Sequence, residues 1–233
     1  MNLPYDWVWI DLDDTLQDFH ANSRQALLRL YEAEQLRRWF PSAEAWVECY
    51  MRHNAALWQQ YNVAAITKDS LRHQRFTLPL IEAGCSDNLA DTLSPRFDVT
   101  YLDFLAQGRI MIPGAIELLL RLRSRGYRLG ILSNGFKEVQ YRKIKTAGIE
   151  SLIDCVVLSD DIGVNKPDRR IFDHALAVTS GTPERTVMIG DNPATDIDGA
   201  ISAGWHAIHF NRDGIGTPHP TATVVTSLNH IIL

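Results

Sequence analysis

A chain of 233 residues with 45% hydrophobic content is long enough for one substantial core or two modest ones, which excludes a disordered protein. Its formal net charge of -5 supplies no general basic field and argues against binding a nucleic acid polymer through its phosphates. Cys49, Cys85 and Cys155 are odd in number, far apart and without a C-x-x-C pair, so they are expected to be reduced thiols.

The start, MNLPYDWVWIDL, has no basic leader and carries Asp6 within it, so neither a signal peptide nor a membrane span is expected. The expectation is a cytoplasmic protein with no membrane partner. The stretch VWIDLDDTL, Val8 to Leu16, then runs from an apolar strand directly into Asp11, Asp13 and Asp14. Like charges this close raise each other's cost of ionisation unless a cation or a shared proton relieves them. Alternation along an extended segment points Asp11 and Asp13 to one side and Asp14 away from them. Asp14 is therefore assigned to the turn, and Thr15 is expected to brace the same loop by hydrogen bonding.

Between Leu16 and about Ile112 no β-rich run occurs, and Leu27, Leu28, Leu30 and Tyr31 recur at helical spacing. Pro41, Thr67 and Ser86 stand just before or at the start of helical patterns, which predicts at least four helices joined by short turns. From Tyr127 onward the texture changes to β-rich runs alternating with helical stretches: RLGILS, CVVLS, TVMIG and HAIHF. The helix from Lys137 is expected to end near Gly148, and Pro167 suits the first turn of the next one. This order predicts an α/β fold with a parallel sheet that includes Val8 to Ile10 as a further strand. The core is placed at residues 1–16 and 113–233, and an all-helical insert at 17–112. An insert directly after the first strand suggests a cap over that strand's carboxyl end, where open parallel sheets bind ligands.

Four further features fall at strand ends. Ser133, Asn134 and Gly135 follow RLGIL and offer a hydroxyl and backbone N–H groups at a strand-to-helix turn, an anion cradle. Lys166 precedes Pro167, Asp191 directly follows TVMIG, and Asp196 closes GDNPATD. Taken singly, each has an ordinary use: Ser133 as a turn former, Lys166 as a solvated surface cation, Asp191 as an N-cap and Asp196 as a helix-surface charge. Acids, a hydroxyl and a lysine all fall at strand ends of one sheet and in one order, a joint pattern that argues against coincidence.

The segments DLDDTL, ILSNG, NKP and GDNPATD together resemble, in order, the four motifs of the haloacid dehalogenase-like phosphohydrolase superfamily. The resemblance implies a Rossmann-like core with a helical cap of the C1 type. It implies Asp11 as nucleophile, Asp13 as general acid and base, and Ser133, the Asn134 N–H and Lys166 as the phosphoryl-binding groups. It also implies magnesium held by the Asp11 carboxylate, the Asp13 backbone carbonyl and the Asp191 carboxylate, with Asp196 acting from behind them. A dehalogenase, which resembles the first motif, needs neither the second acid nor magnesium, so Asp13 argues for a phosphatase. Across the whole chain the pattern is most similar to bacterial 5′-nucleotidases of pyrimidine monophosphates, including the stretch ALWQQYNVAAITKDSLRHQRF in the insert. The implied partner is a small phosphate ester, a nucleoside monophosphate. Trp58, Tyr61 and Arg75 are candidate substrate contacts, with helix packing or an ion pair within the insert as their alternative uses. The alternative activity is that of a sugar phosphatase or a β-phosphoglucomutase-like phosphomutase.

Overall fold

The computed structural model describes residues 3–233; Met1 and Asn2, the first two residues of the expected core, lie outside the described residues. Its contacts divide the chain into two compact units, Met1–Phe19 with Arg109–Leu233, and His20–Gly108.

The first unit is built on strands buried on both faces. β1 (Trp7–Ile10) is buried at every position, as a strand covered by helices on each side must be. Helix α1 (Phe19–Ala33) then starts the insert, followed by α2 (Ala43–Asn62), α3 (Lys68–Glu82) and α4 (Asp87–Leu105). The chain returns through α5 (Ala115–Ser124) to β2 (Arg128–Ser133), α6 (Lys137–Thr146), β3 (Cys155–Leu158), the single turn α7 (Ser159–Ile162) and α8 (Arg169–Thr179). It closes with β4 (Thr186–Gly190), a π-helical turn at Pro193–Ile197, α9 (Asp198–Ser202), β5 (His206–Phe210) and β6 (Thr223–Val225).

The strands form one six-stranded sheet in the order β3-β2-β1-β4-β5-β6, parallel throughout. Side-chain alternation sorts them into two cores. Val8, Ile10, Leu129, Ile131, Val187 and Ile189 face one way, while Trp9, Leu132, Val157 and Met188 face the other. β1 is the strand from which the chain first winds outward to β2 and β3, and on whose other side β4 to β6 are then laid. The carboxyl end of β1 is thus a topological switch point, where a crevice opens outside the strand ends.

The helical unit packs around an aromatic cluster. Trp46 and Tyr50 of α2 meet Phe76 of α3 at 6.4 and 5.1 Å between ring centroids, and Tyr101 of α4 lies 5.3 Å from Tyr50. Ser42, one residue after Pro41, caps α2 by accepting from the Ala45 N–H at 3.1 Å, and Thr67 caps α3 in the same way from Ser70. Pro167 falls ahead of its helix, because Asp168 is the cap of α8 and accepts from the Arg170 N–H. No helix among the described residues is long and apolar enough to cross a membrane.

Within this unit Arg75 is 2% exposed and gives its guanidinium to Asp98, which also accepts from Arg72 at 2.7 Å. Removing one partner of a buried ion pair leaves a desolvated charge behind. Asp98→Ala is therefore expected to cost about 3–5 kcal/mol of unfolding free energy, measured by urea denaturation. A loss under about 1 kcal/mol would show that water replaces the carboxylate at no real cost.

Candidate active site

Asp11, Asp13, Ser133, Asn134 and Asp191 sit at the carboxyl end of a strand or on the turn that follows it, while Lys166 lies between α7 and α8 and Asp196 within the π-helical turn after β4. Asp11 continues β1 and keeps strand geometry, its N–H donating to the Ile189 carbonyl at 2.9 Å. The chain then turns tightly. Asp14 takes a left-handed backbone conformation (φ 58°) and its N–H donates to Gln17 O at 2.7 Å, which is the turn role expected of it. The Thr15 hydroxyl donates to Asp191 Oδ1 at 3.1 Å, bracing the β1 loop against the β4 loop.

Lys166 is not a solvated surface cation: it is 2% exposed. Its ammonium lies 2.6 Å from Asp11 Oδ1, 2.6 Å from Asp196 Oδ1 and 2.7 Å from the Leu132 carbonyl. Asn134 fixes the backbone of this lysine on both sides: Nδ2 donates to Lys166 O at 3.0 Å, and Lys166 N–H donates to Oδ1 at 2.7 Å.

Asp196, whose bland reading was a helix-surface charge, is 1% exposed, and Asn192 rather than Asp191 caps the π-helical turn. Besides Lys166, Asp196 holds the Asn192 N–H at 3.1 Å. Its carboxylate lies directly over Gly190, where an added Cβ would come within 2.2 Å of Oδ2. Glycine at 190 thus leaves the space that the Asp196 carboxylate occupies. His209 Nε2 lies 3.0 Å from the Asp191 carbonyl and holds that loop from β5.

Asp11, Asp191 and Asp196 each bring a carboxylate oxygen to within 4.8 Å of the others. Burial, reinforced by Asp196 and Asp13 and opposed by Lys166, pushes the Asp11 carboxyl up to about 7. Burial, followed by the charges of Asp196, Asp11 and Asp14, pushes Asp191 up to about 9. Burial disfavours the Lys166 charge too, yet Asp11 and Asp196 outweigh it and raise that pKa. One lysine therefore stands against three carboxylates, two buried and one half-buried. A hard divalent cation with oxygen ligands fits such a donor set, and its charge would relieve the excess. A second grouping, Cys49, His53 and Glu82 in the helical unit, already holds the Arg52 guanidinium at 2.6 Å from Glu82, so its charge is met by a side chain.

Two site residues escape a motif-based reading. Lys143 and Gln140 on α6 are each 1% exposed. Lys143 Nζ pairs with Asp13 Oδ1, while Gln140 Nε2 donates to Asp13 Oδ2 at 2.8 Å and to Ser133 Oγ at 2.8 Å. The signal was present in KEVQYRKIKT, where Val139, Gln140, Lys143 and Ile144 share the buried face of one helix. Two long polar side chains on such a face require partners. Of the residues expected in the insert, Trp58 and Tyr61 lie on α2 with ring centroids 5.4 Å apart, edge to face. Arg75 is buried against Asp98 inside the helical unit.

A family model described as haloacid dehalogenase-like hydrolase matches residues 5–204. The pyrimidine 5′-nucleotidase YjjG of Escherichia coli is 31% identical over 231 residues, which are 95% of this chain and 94% of that protein. A phosphoserine phosphatase of Thermus thermophilus is 31% identical over 234 residues, covering 92% and 91%. Among solved structures, a magnesium-bound crystal form of the Bacillus subtilis HAD-hydrolase YfnB superposes with a TM-score of 0.85 at 27% identity, covering 97% of this chain and 96% of that one.

The upward shifts of Asp11 and Asp191 make the metal-free native chain bind more protons than the unfolded chain. That contribution is fully present below the ordinary carboxylate value of about 4 and is lost as pH rises through about 7 and then 9. In chelator the melting temperature is expected to fall over this window, and the gain on adding magnesium to grow with pH. Thermal melts from pH 5 to pH 9 with and without magnesium check it, and a magnesium gain that is flat with pH contradicts it.

Proposed function

The chain belongs to the haloacid dehalogenase-like hydrolase family, and we propose that it is a magnesium-dependent phosphatase of pyrimidine nucleoside 5′-monophosphates acting through an aspartyl phosphate. The observation that carries the reading is the pairing of Asp11, held 2.6 Å from the Lys166 ammonium, with a second carboxylate, Asp13, whose oxygens are gripped by α6. This reading has one acid attack and the other move a proton.

In this reading an Asp11 carboxylate oxygen attacks phosphorus while the bond to the leaving oxygen breaks, and Asp13 delivers a proton to that oxygen. Asp13 then takes a proton from water. The water oxygen attacks phosphorus, releasing inorganic phosphate and restoring the Asp11 carboxylate. The Ser133 hydroxyl and the Asn134 N–H hold the phosphoryl oxygens in this reading, and Lys166, whose three N–H bonds go to Asp11, Asp196 and the Leu132 carbonyl, matches by its charge the negative charge that spreads over them in the transition state. Magnesium would be held by the Asp11 and Asp191 carboxylates and the Asp13 backbone carbonyl, with Asp196 supporting the β4 loop through Asn192 and Lys166. When bound, the ion neutralises phosphoryl charge as a Lewis acid.

The substrate class rests on the near full-length similarity to a pyrimidine 5′-nucleotidase and on the side chains that α2 carries. Trp58 and Tyr61 offer faces on which a planar base stacks, and Gln59 offers an amide to hydrogen-bond it. Arg75 has its guanidinium on Asp98, and this reading gives it no contact role.

Asp11→Asn is expected to leave less than about a hundredth of wild-type turnover, as removal of a nucleophile does, in a chain whose circular dichroism shows the fold retained. Retained activity would reassign the attacking group. In a magnesium-supplemented screen ranked by kcat/KM, dUMP, dTMP or UMP should stand above purine monophosphates, hexose phosphates and phosphoserine. Trp58→Ala should narrow that ranking while sparing a small aryl phosphate, because a site that hydrogen-bonds and stacks its substrate rejects analogues lacking those groups. A sugar phosphate ranked first overturns the nucleotidase reading, and phosphate moved between sugar positions without release makes the chain a phosphomutase.

A further inference from the structure

Ser133 is buried at 2% exposure, and its hydroxyl oxygen is approached by two donors, the Gly135 N–H at 3.1 Å and Gln140 Nε2 at 2.8 Å. A hydroxyl has two lone pairs and one proton. With both lone pairs engaged by these donors, the hydroxyl is left to act as a donor, and its proton is turned away from Gln140 and Gly135. An anion needs a donor, and a freely rotating serine would present a lone pair part of the time.

The same Gln140 amide spans to Asp13 Oδ2 at 2.8 Å, and Lys143 holds Asp13 Oδ1. Both donors come from one turn of α6, and the Lys143 carbonyl accepts from Gln17 Nε2 at 3.3 Å, on the segment that follows the Asp13 turn. The amide reaches its two partners only because residue 135 is glycine: an added Cβ there would stand 2.1 Å from Gln140 Nε2 and 2.3 Å from its Cδ.

We propose that Gln140 is a positioning residue that fixes the Ser133 hydroxyl as a donor toward the phosphoryl group and, together with Lys143, fixes the orientation of Asp13. The proposal rests on the phosphatase reading and assigns no bond-making to either residue. It separates two functions that α6 serves. Gln140 touches both Ser133 and Asp13, whereas Lys143 touches Asp13 alone of the two. Loss of Gln140 should therefore weaken phosphate binding and proton delivery together. Loss of Lys143 should disturb proton delivery alone.

The test uses the full chain with magnesium, an aryl phosphate with a good leaving group, an alkyl phosphate with a poor one, and inorganic phosphate as a competitive inhibitor. Gln140→Leu is expected to lower kcat/KM on both esters by about 10- to 100-fold, the range typical of residues that orient a site's contacting groups, and to weaken inhibition by phosphate. Lys143→Met should lower kcat/KM for the alkyl ester by about the same factor, leave kcat/KM for the aryl ester and phosphate inhibition near wild type, because the hydrolysis step the two esters share does not enter that ratio, and be rescued in part by Lys143→Arg. Gly135→Ala, whose methyl enters the space of the Gln140 amide, should reproduce Gln140→Leu without changing that residue. In a Ser133→Ala background, Gln140→Leu should add little on the aryl ester, since the hydroxyl it orients is gone.

Full additivity on the aryl ester in that double mutant, or an unchanged alkyl-to-aryl ratio in Lys143→Met with a wild-type melt, overturns the assignment. A wild-type chain that hydrolyses neither ester overturns the phosphatase reading, and this inference falls with it. Wild-type hydrolysis alongside an unaltered Gln140→Leu enzyme overturns the inference alone.

Discussion

Everything at the carboxyl end of the sheet depends on the placement of one buried lysine. Lys166 carries its charge where burial opposes it, and it does so because Asp11 and Asp196 each lie 2.6 Å from its ammonium. The dependence is mutual. Without the cation, the same carboxylates would stand together in a site from which water is largely excluded, and they would neutralise by taking up protons. An ion pair of this kind adds little net stability, because desolvation consumes most of the Coulomb gain. Its value lies in geometry: it fixes where a nucleophile and a cation stand before substrate arrives.

The surrounding structure serves that placement. Asn134 grips the Lys166 backbone from both sides, so the β2 loop and the segment before α8 move as one piece. Gly190 leaves room for the Asp196 carboxylate, Thr15 ties the β1 turn to Asp191, and His209 holds the Asp191 carbonyl from β5. Because β1 is flanked by β2 and β4, the loops that follow these three strands converge on the switch point. The fold therefore delivers Asp11, Ser133 and Asp191 to one place by strand order alone. The side chains then need only the last few ångströms of adjustment, which the ion pairs and buried amides supply. What remains unbalanced is negative, one lysine against three acids, and this is the electrostatic condition that a divalent cation fits.

Much of this was legible in the sequence, because strand ends can be read from where an apolar run stops. Asp11, Ser133 and Asp191 each follow such a run directly, and the glycine and helix-cap signals at Gly148 and Thr67 sit where the chain bends. β6 left no comparable trace: it is three residues long, Thr223–Val225, and pairs only at the edge of the sheet. The boundary of the helical insert was set at residues 17 and 112, where hydrophobic texture changes. The compact units part instead at His20 and Gly108, because Gln17 and Met111 form a bridge that keeps both crossing segments with the core. Lys143 and Gln140 were missed for a different reason. A polar residue on a helix looks solvated until the facing strand is known, and only the fold reveals that theirs is the buried face. Lys166 shows the same limit, since no local pattern distinguishes an exposed lysine from one enclosed by carboxylates.

The claim on which the account turns is that Asp11 forms a covalent bond to phosphorus, and rapid acid quenching tests it most directly. The chain with magnesium would be mixed with a radiolabelled phosphate ester and quenched within the first turnover, and the protein-bound label mapped after proteolysis. The account predicts up to one phosphoryl group per chain, labile to hydroxylamine as an acyl phosphate is, located at Asp11 and absent from Asp11→Asn. Product formed at full rate with no protein-bound label at any quench time, or label on a residue other than Asp11, would contradict it.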